Sequence, residues 1–202
     1  MPRHPVGVFC LETGNYWEDL RRHSSVEPLL ELIGQYHSQV PALHRDVATC
    51  AEFKYYVGRW LLRKYDQYPI LYVASHGDET GIELADGSTL GLKDLRAILG
   101  RKARSRLLHM GACRSLSASD EEMSDFLAAT GLLAVSGYRG DVDWGRSAAL
   151  DYLVFTELSS ATYQGVTALK RRLSRLVPGL IDELGFRIEV RPVSRRTLTG
   201  RS

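Results

Sequence analysis

The sequence contains few cysteines, no excess of either charge and no long apolar run. Its three cysteines, Cys10, Cys50 and Cys113, are too few for a disulfide framework and indicate a reducing compartment or a reactive thiol. Lys and Arg number 26 and Asp and Glu 24, so the net charge of +2 gives no general attraction to nucleic acid or to anionic membranes. Because no run reaches about 18 apolar residues, we expect no transmembrane helix. These absences predict a cytoplasmic protein that binds neither nucleic acid nor membranes.

Signals for a leader, a repeat or a linker are missing as well. The N-terminal residues MPRHPVGVFC lack the apolar core of a secretion signal. No internal repeat and no Pro-, Gly- or Ser-rich linker divides the 202 residues. A composition of 44% apolar and 25% charged residues is typical of a chain that buries a full core. We predict one domain over residues 1–202, with a core at about 6–190 and an Arg-rich tail at 191–202.

Short apolar runs alternate along the chain with longer amphipathic ones. Strands are predicted at Val6–Leu11, Gln39–His44, Ile70–Ala74, Arg106–Met110, Leu132–Ser136 and Phe186–Val190. Helices are predicted at Val26–His37, Thr49–Tyr65, Leu92–Leu99, Glu121–Thr130, Trp144–Leu158 and Tyr163–Val177. Two shorter runs, Ile82–Leu84 and Ser88–Leu90, flank an Asp-Gly turn and indicate a hairpin. This alternation predicts a doubly wound α/β fold, a mostly parallel sheet between two layers of helices.

Two of the predicted strands run into residues that can perform nucleophilic chemistry. Ile70–Ala74 leads into the tripeptide SHG, which contains His76, and Arg106–Met110 leads into GAC, which ends at Cys113. Neighbouring strands lie about 4.8 Å apart, so His76 and Cys113 would leave the sheet side by side if these strands are adjacent and parallel. Catalytic groups collect at the carboxyl ends of such strands. The pattern therefore predicts an active site at this edge.

The residue types at the two strand ends suit acyl transfer at a peptide carbonyl. A free thiol has a pKa of about 8.5, so at neutral pH it is mostly protonated and needs a base such as the imidazole of His76. The same imidazole can later protonate the leaving amine. The backbone N–H groups of Gly77 and Cys113 are candidates for the oxyanion hole. His76 and Cys113 are thus the predicted catalytic residues.

SHG at one strand end, followed by GAC-x-S at the next, resembles the caspase-like (clan CD) cysteine peptidases, most of all the bacterial CHAT-like and prokaryotic caspase-like proteases. The resemblance extends from about Val6 to Leu158. It implies a caspase-like three-layer fold with a small hairpin between the His and Cys strands, and a dyad of His76 and Cys113 without an obligatory carboxylate or cofactor. It also implies a protein substrate, an upstream activating protease or sensor, and a role in antiviral defence or regulated cell death. Because GACRS around Cys113 differs from the QACRG of metazoan caspases, substrate preference is not carried over.

The resemblance also suggests which segments line the S1 pocket. In this family the pocket is lined by the loop after the first strand and by the loop after the strand that follows the Cys strand. In this sequence those loops contain Glu12, Asp141 and Asp143. A carboxylate there would favour Arg or Lys at P1 through a charge-assisted contact. Arg139, in the second of these loops, could instead serve an acidic P1 residue.

A basic P1 preference would make self-cleavage a route to activation. The polar segment Arg114–Ser124 is long enough to be a mobile active-site loop. Arg114, Arg139 and Arg146 are then candidate self-cleavage positions.

Each candidate also has a plain structural interpretation. Cys113 alone fits a buried thiol and His76 a hydrogen-bonded loop histidine, in which case the chain would be a catalytically silent module that binds a protein partner. Cys10 and Cys50 lie on predicted core positions. His109 lies within a strand and fits hydrogen-bonded packing.

Other site classes lack their sequence signatures. No serine lies in a G-x-S-x-G elbow, no glycine pattern matches a phosphate-binding loop, and no Cys or His spacing matches a zinc site. Two basic runs, Arg101–Arg106 and Lys170–Arg175, are interpreted as solvated surface rather than a nucleic-acid interface.

Overall fold

The computed structural model describes residues 6–13, 25–37, 40–158 and 160–192. Its strands are β1 Val8–Thr13, β2 Ala42–Val47, β3 Ile70–Ser75, β4 Gly77–Asp78, β5 Gly81–Glu83, β6 Thr89–Leu90, β7 Leu107–Gly111, β8 Ala134–Tyr138 and β9 Phe186–Val190. Its α-helices are α1 Glu27–Tyr36, α2 Cys50–Trp60, α3 Leu92–Leu99, α4 Asp120–Thr130, α5 Trp144–Glu157, α6 Tyr163–Leu176 and α7 Pro178–Leu184. None of these helices is long and apolar enough to cross a membrane.

Six of the strands form one sheet in the order β2-β1-β3-β7-β8-β9. The first five are parallel, and β9 pairs antiparallel with β8. The three short strands β4, β5 and β6 form a separate antiparallel sheet between β3 and α3. The predicted fold class is confirmed: an α/β fold with a mostly parallel sheet and a small hairpin between the two strands that lead to His76 and Cys113.

Apolar side chains alternate along the strands and fill a separate core on each face of the six-stranded sheet. Val8 and Tyr72 point into one core with residues of α1, α5, α6 and α7. Phe9 and Leu71 point into the other with residues of α2, α3 and α4. Burial on both faces is the reason that the inner strands β3, β7 and β8 read as apolar runs, whereas the edge strand β2 is partly exposed and carries charged residues. We call these two sides the α5 face and the α4 face.

Local sequence signals set where several helices begin and end. Thr49 and Glu52 form a capping box at the start of α2, and Ser119 and Glu122 form another at the start of α4. Gly131 ends α4 in a left-handed conformation with φ of +75°, which glycine adopts without steric cost.

Several predicted boundaries are wrong by a few residues, and two elements are missed. β1 and β8 each begin two residues later than predicted, and β2 is Ala42–Val47 rather than Gln39–His44. α2 ends at Trp60, followed by a 3-10 turn at Arg63–Tyr65. The short elements β4 and α7 were not predicted, because two residues or two turns give no measurable periodicity. Gln39 and residues 193–202 of the predicted tail lie outside the described residues.

Arg106 is an exception to the interpretation of the first basic run as solvated surface, whereas Arg101, Lys102 and Arg104 are exposed. Its side chain is only 7% exposed and bonds the carboxylate of Asp66 at 2.7 Å. The guanidinium also lies over the ring of Trp60, 4.9 Å from its centroid. A buried cation needs such partners to offset its lost hydration, so this arginine belongs to the support of the fold.

Candidate active site

His76 and Cys113 follow the two central strands of the sheet, β3 and β7. These strands pair in parallel with Ala74 opposite Gly111, so the residues two positions further along leave the same edge on the same face. Both side chains line one small pocket on the α5 face. Its free volume of about 20 Å³ is room for about one water molecule. The structure therefore brings the two predicted catalytic residues together.

The wall of this pocket opposite the sheet is one stripe of α5. Trp144, Ser147, Ala148 and Asp151 recur at helical spacing and all line the pocket. Trp144, at the first turn, packs its ring edge-on against the ring of His76, with 5.6 Å between the centroids. The helix therefore contacts the imidazole at one end of the stripe and presents a carboxylate at the other.

Cys113 occupies a tight turn whose backbone is held by the loop after β8. The N–H of Val142 donates to Cys113 Sγ at 3.4 Å, and Sγ lies 3.9 Å from the carbonyl oxygen of the same residue. The next residue, Arg114, has a positive φ of +50° and donates its N–H to Gly140 O at 3.0 Å. The N–H of Leu116 donates at 2.9 Å to the carbonyl oxygen of Tyr138, the last residue of β8. The nucleophile turn and the loop after β8 thus form one hydrogen-bonded unit.

Gly77, the other predicted oxyanion-hole residue, lies against this turn. A methyl group at Gly77 would lie 3.3 Å from Ala112 Cβ and 3.5 Å from Cys113 O. The same methyl would lie only 2.7 Å from Gly81 O, so the close approach of the hairpin requires glycine. The carbonyl of His76 accepts from the N–H of Glu83 at 3.0 Å, which fixes the backbone that precedes Gly77.

Glu12, a predicted S1 residue, has partners of its own at the end of β1. Its carboxylate accepts from His44 Nε2 and Ser25 Oγ, each at 2.6 Å, and from Val26 N–H at 3.1 Å. Burial alone would raise the pKa of Glu12, but these hydrogen bonds lower it below its ordinary value. The hydrogen bond to Glu12 outweighs burial at His44 and raises the pKa of that imidazole. The carboxylate is therefore committed to a local ion pair and does not line the pocket of His76.

The ion pair of Glu12 and His44 lies beside a third potential metal ligand. Ligand atoms of Glu12, His44 and Asp46 lie within 4.8 Å of one another. Because the Glu12 carboxylate already accepts three hydrogen bonds, hydrogen bonding alone accounts for its geometry.

The other two predicted S1 carboxylates are also engaged. Asp141 receives a forked contact from Arg114, with Nε to Oδ1 and Nη2 to Oδ2 both at 2.9 Å. Asp143 caps α5 by accepting the N–H of Arg146 at 3.0 Å. Both belong to the loop that holds Cys113, but neither lines the pocket.

The carboxylate that does line the pocket, Asp151, was missed. It is 2% exposed and accepts hydrogen bonds from Tyr72 at 2.8 Å, Tyr138 at 2.5 Å and His109 Nε2 at 2.7 Å. His109 Nδ1 bonds Ser136 Oγ at 2.8 Å, which confirms its interpretation as hydrogen-bonded packing. Burial and the neighbouring carboxylate raise the pKa of both tyrosines, so they remain donors. The sequence signal that could have identified Asp151 is an aspartate at an otherwise apolar position of the predicted helix Trp144–Leu158.

A larger groove lies on the α4 face, beside the same two strand ends. It has a volume of about 610 Å³ and is lined by residues that follow His76 and Cys113 closely, including Asp78, Glu79 and Ser115. Its charged lining consists of four carboxylates and one lysine: Asp78, Glu79, Asp94, Glu122 and Lys93. The groove therefore has a negative lining next to the pair.

The segment predicted to be a mobile loop is held in place. Its last five residues, Asp120–Ser124, begin α4. We call residues 113–119 the nucleophile loop. The buried guanidinium of Arg187 on β9 donates to Leu116 O at 3.4 Å, to Ala118 O at 2.7 Å and to Asp120 at 2.6 Å. This arginine ties the nucleophile loop to the sheet.

Comparison with known proteins gives the family of the chain. Residues 6–189 match the family described as "Family of unknown function (DUF6642)". The chain belongs to this family. The match spans every described strand of the six-stranded sheet except the last residue of β9. No curated protein matches the chain.

The site of this DUF6642 chain combines the elements that thiol chemistry needs. His76 and Cys113 share a small pocket, and the backbone N–H of Val142 donates to the sulfur. Such an arrangement can activate a sulfur nucleophile and stabilise an anionic oxygen.

Proposed function

We propose that the protein is a cysteine endopeptidase of the caspase-like type, which hydrolyses a protein partner with Cys113 and His76. One observation carries the proposal: the two side chains line the same pocket at the carboxyl ends of the paired central strands β3 and β7. The antiparallel hairpin between these strands is a further feature that the resemblance implies.

The proposed reaction begins when His76 accepts the proton of the Cys113 thiol. The thiolate attacks the scissile carbonyl carbon, and the N–H groups of Gly77 and Cys113 receive the negative oxygen, a contribution of about 3–4 kcal/mol to the transition state. The imidazolium then protonates the leaving amine as the C–N bond breaks, which leaves a thioester. His76 next takes a proton from a water molecule as that water attacks the thioester. The C–S bond breaks, the imidazolium returns the proton to the sulfur, and the acid and the free thiol are released.

The substrate is proposed to carry a basic residue near the cleaved bond. The three carboxylates predicted to select it do not line the pocket of His76 and Cys113, so the support now comes from the groove on the α4 face. That groove has four carboxylates against one lysine and lies beside both strand ends. A negative lining attracts basic segments and repels acidic ones.

Thiol labelling tests the nucleophile without knowledge of the substrate. Iodoacetamide at pH 7 should alkylate Cys113 fast, and His76→Ala should slow this alkylation while the half-exposed Cys50 of the same molecule reacts as before. A Cys113 as inert as Cys50 would refute the dyad and favour the silent protein-binding module instead.

A fluorogenic peptide panel tests the preference. Substrates with Arg or Lys at P1 should be cleaved faster than those with Asp or Leu, and Cys113→Ala should abolish cleavage. Equal or faster cleavage after Asp would refute the basic preference and leave the dyad standing.

The cellular setting is proposed from the resemblance. Three free cysteines suit the cytoplasm, where thiols stay reduced. We propose that an upstream protease or sensor activates the chain in a defence or cell-death pathway. Comparing protein N-termini in cells that express active or Cys113→Ala protein should identify the cleaved partner, and identical termini would count against proteolysis.

A further inference from the structure

Cys113 receives a hydrogen bond that does not come from the proposed dyad. The donor is the backbone N–H of Val142, 3.4 Å from Sγ. A thiolate accepts a hydrogen bond more strongly than a thiol does, so a fixed N–H directed at Sγ favours the ionised form. In the protonated state the thiol also donates to the carbonyl of Val142, over the longer distance of 3.9 Å. The backbone at Val142 therefore acts on the nucleophile only as long as it stays in place.

Contacts on both sides of Val142 keep it in place. Arg114 N–H donates to Gly140 O, and the Arg114 guanidinium forms its forked contact with Asp141, the residue directly before Val142. On the other side, Asp143 is anchored as the cap of α5. The residue that follows the nucleophile thus clamps the loop that supplies the N–H.

Arg114 also reaches the loop that follows His76. Its Nη1 donates to Glu79 at 3.2 Å. The positive φ of Arg114 is unusual for a residue with a side chain, and its partners hold it there. Since two carboxylates face its one positive charge, the effect of this arginine on the thiol runs through position rather than charge.

We propose that Arg114 is a positioning residue, which clamps Asp141 so that the N–H of Val142 stays on Cys113 Sγ and supports the thiolate when it forms. The inference rests on the proposed function for the role of Cys113 but does not need peptide cleavage to be measured. The titratable groups that line the same pocket are Tyr72, His76 and Asp151. Arg114, Glu79 and Asp141 do not line this pocket.

The test is the rate of Cys113 alkylation at pH 7 divided by the rate at pH 9.5, which reports the ionised fraction rather than access. Arg114→Gln and Asp141→Asn should each lower this ratio about three-fold or more, because the thiolate at pH 7 loses a fixed donor while the thiol at pH 9.5 ionises in either case. Arg114→Lys should lower it less, because an ammonium can keep one contact with the Asp141 carboxylate but cannot form the fork. The matched control is Arg172→Gln, which removes a 2.7 Å pair with Glu157 far from the site.

The variants are expected to fold. Arg114, Glu79 and Asp141 side chains are 45%, 66% and 71% exposed, and exposed pairs contribute little to stability. Unchanged ratios in both Arg114→Gln and Asp141→Asn would overturn the inference, as would an equal change in Arg172→Gln. A lowered ratio in a protein that cleaves no peptide would uphold the inference while the endopeptidase proposal failed. Peptide cleavage with unchanged ratios would support the endopeptidase proposal and refute the positioning role of Arg114.

Discussion

The hydroxyl of Tyr72 allows the stabilising effect of the buried network beneath the pocket to be measured. Tyr72 is 2% exposed and donates to Asp151 Oδ2 at 2.8 Å, while its ring packs on Phe155 with 5.0 Å between centroids. Tyr72→Phe removes the donor and keeps the ring. A hydrogen bond to a charged group contributes about 1.5–3 kcal/mol. For a chain of this size that loss should lower Tm by about 3–12 °C.

Thermal and urea denaturation at pH 7 measure the change. The matched control is Tyr55→Phe, at a ring that is 60% exposed, where we expect a change within about 0.5 kcal/mol. If Tyr72→Phe were as mild as this control, Asp151 would not depend on the tyrosine and the argument for a cooperative buried network would be wrong.

The stability difference between wild type and Tyr72→Phe should depend on pH. Burial, with the Asp151 charge next, raises the pKa of Tyr72 in the folded state above its ordinary value of about 10. The folded state therefore favours the protonated phenol, and this stability is fully present below about pH 10 and is lost as the pH rises through the raised pKa. The advantage of wild type over Tyr72→Phe should stay constant up to about pH 10 and shrink above it.

Three further outcomes are expected. In an NMR titration His44 should have a pKa above about 6.5, and this pKa should return towards 6.5 in Glu12→Gln. The stability that protonation of His44 supplies is complete below about pH 6.5 and is lost as the pH rises through the raised pKa. Arg187→Met should cost about 1–3 kcal/mol in urea denaturation, because two carbonyls of the nucleophile loop lose their donor. Gly111→Ala should cost about 1–3 kcal/mol in the same assay, since the added methyl would lie 2.7 Å from the ring of Tyr72.

Each of these outcomes has its own control or contrary result. A His44 that titrates at or below its ordinary value would contradict the ion pair with Glu12. Arg175→Met, at an exposed helix position, should be nearly neutral, and an equal loss there would remove the special role of Arg187. Gly34→Ala in α1 meets no atom within 4 Å and should stabilise the helix by up to about 1 kcal/mol. If Gly111→Ala left the stability unchanged, the ring of Tyr72 would be able to move away from the added methyl group.

The layered fold and the position of the candidate site could be predicted from the sequence because both depend on strand pattern. Ile70–Ala74 and Arg106–Met110 are continuous apolar runs, and such runs belong to strands covered on both faces. Each leads into a residue that can perform nucleophilic chemistry, and one crossover through the hairpin and α3 joins β3 to its parallel neighbour β7.

The partners of the charged groups could not be predicted, because they depend on contacts between distant segments. Glu12 meets His44 from another strand, and Asp141 meets an arginine 27 residues earlier in the chain. Asp151 sits on the apolar face of α5, where helical periodicity gives its direction but not the tyrosines that it meets. Patterns of hydrophobicity describe which face a residue occupies and leave its polar partners open.

The position of β3 and β7 as the innermost pair of the sheet affects how the chain acquires its chemistry. Thirty-seven residues separate the imidazole from the sulfur along the chain, and the hairpin and α3 lie between them. Contacts between segments so far apart form late relative to local helices, because closing the loop costs entropy first. A growing polypeptide on the ribosome would therefore carry an ordinary thiol at Cys113. The reactivity proposed for Cys113 would arise only after β3 and β7 had paired.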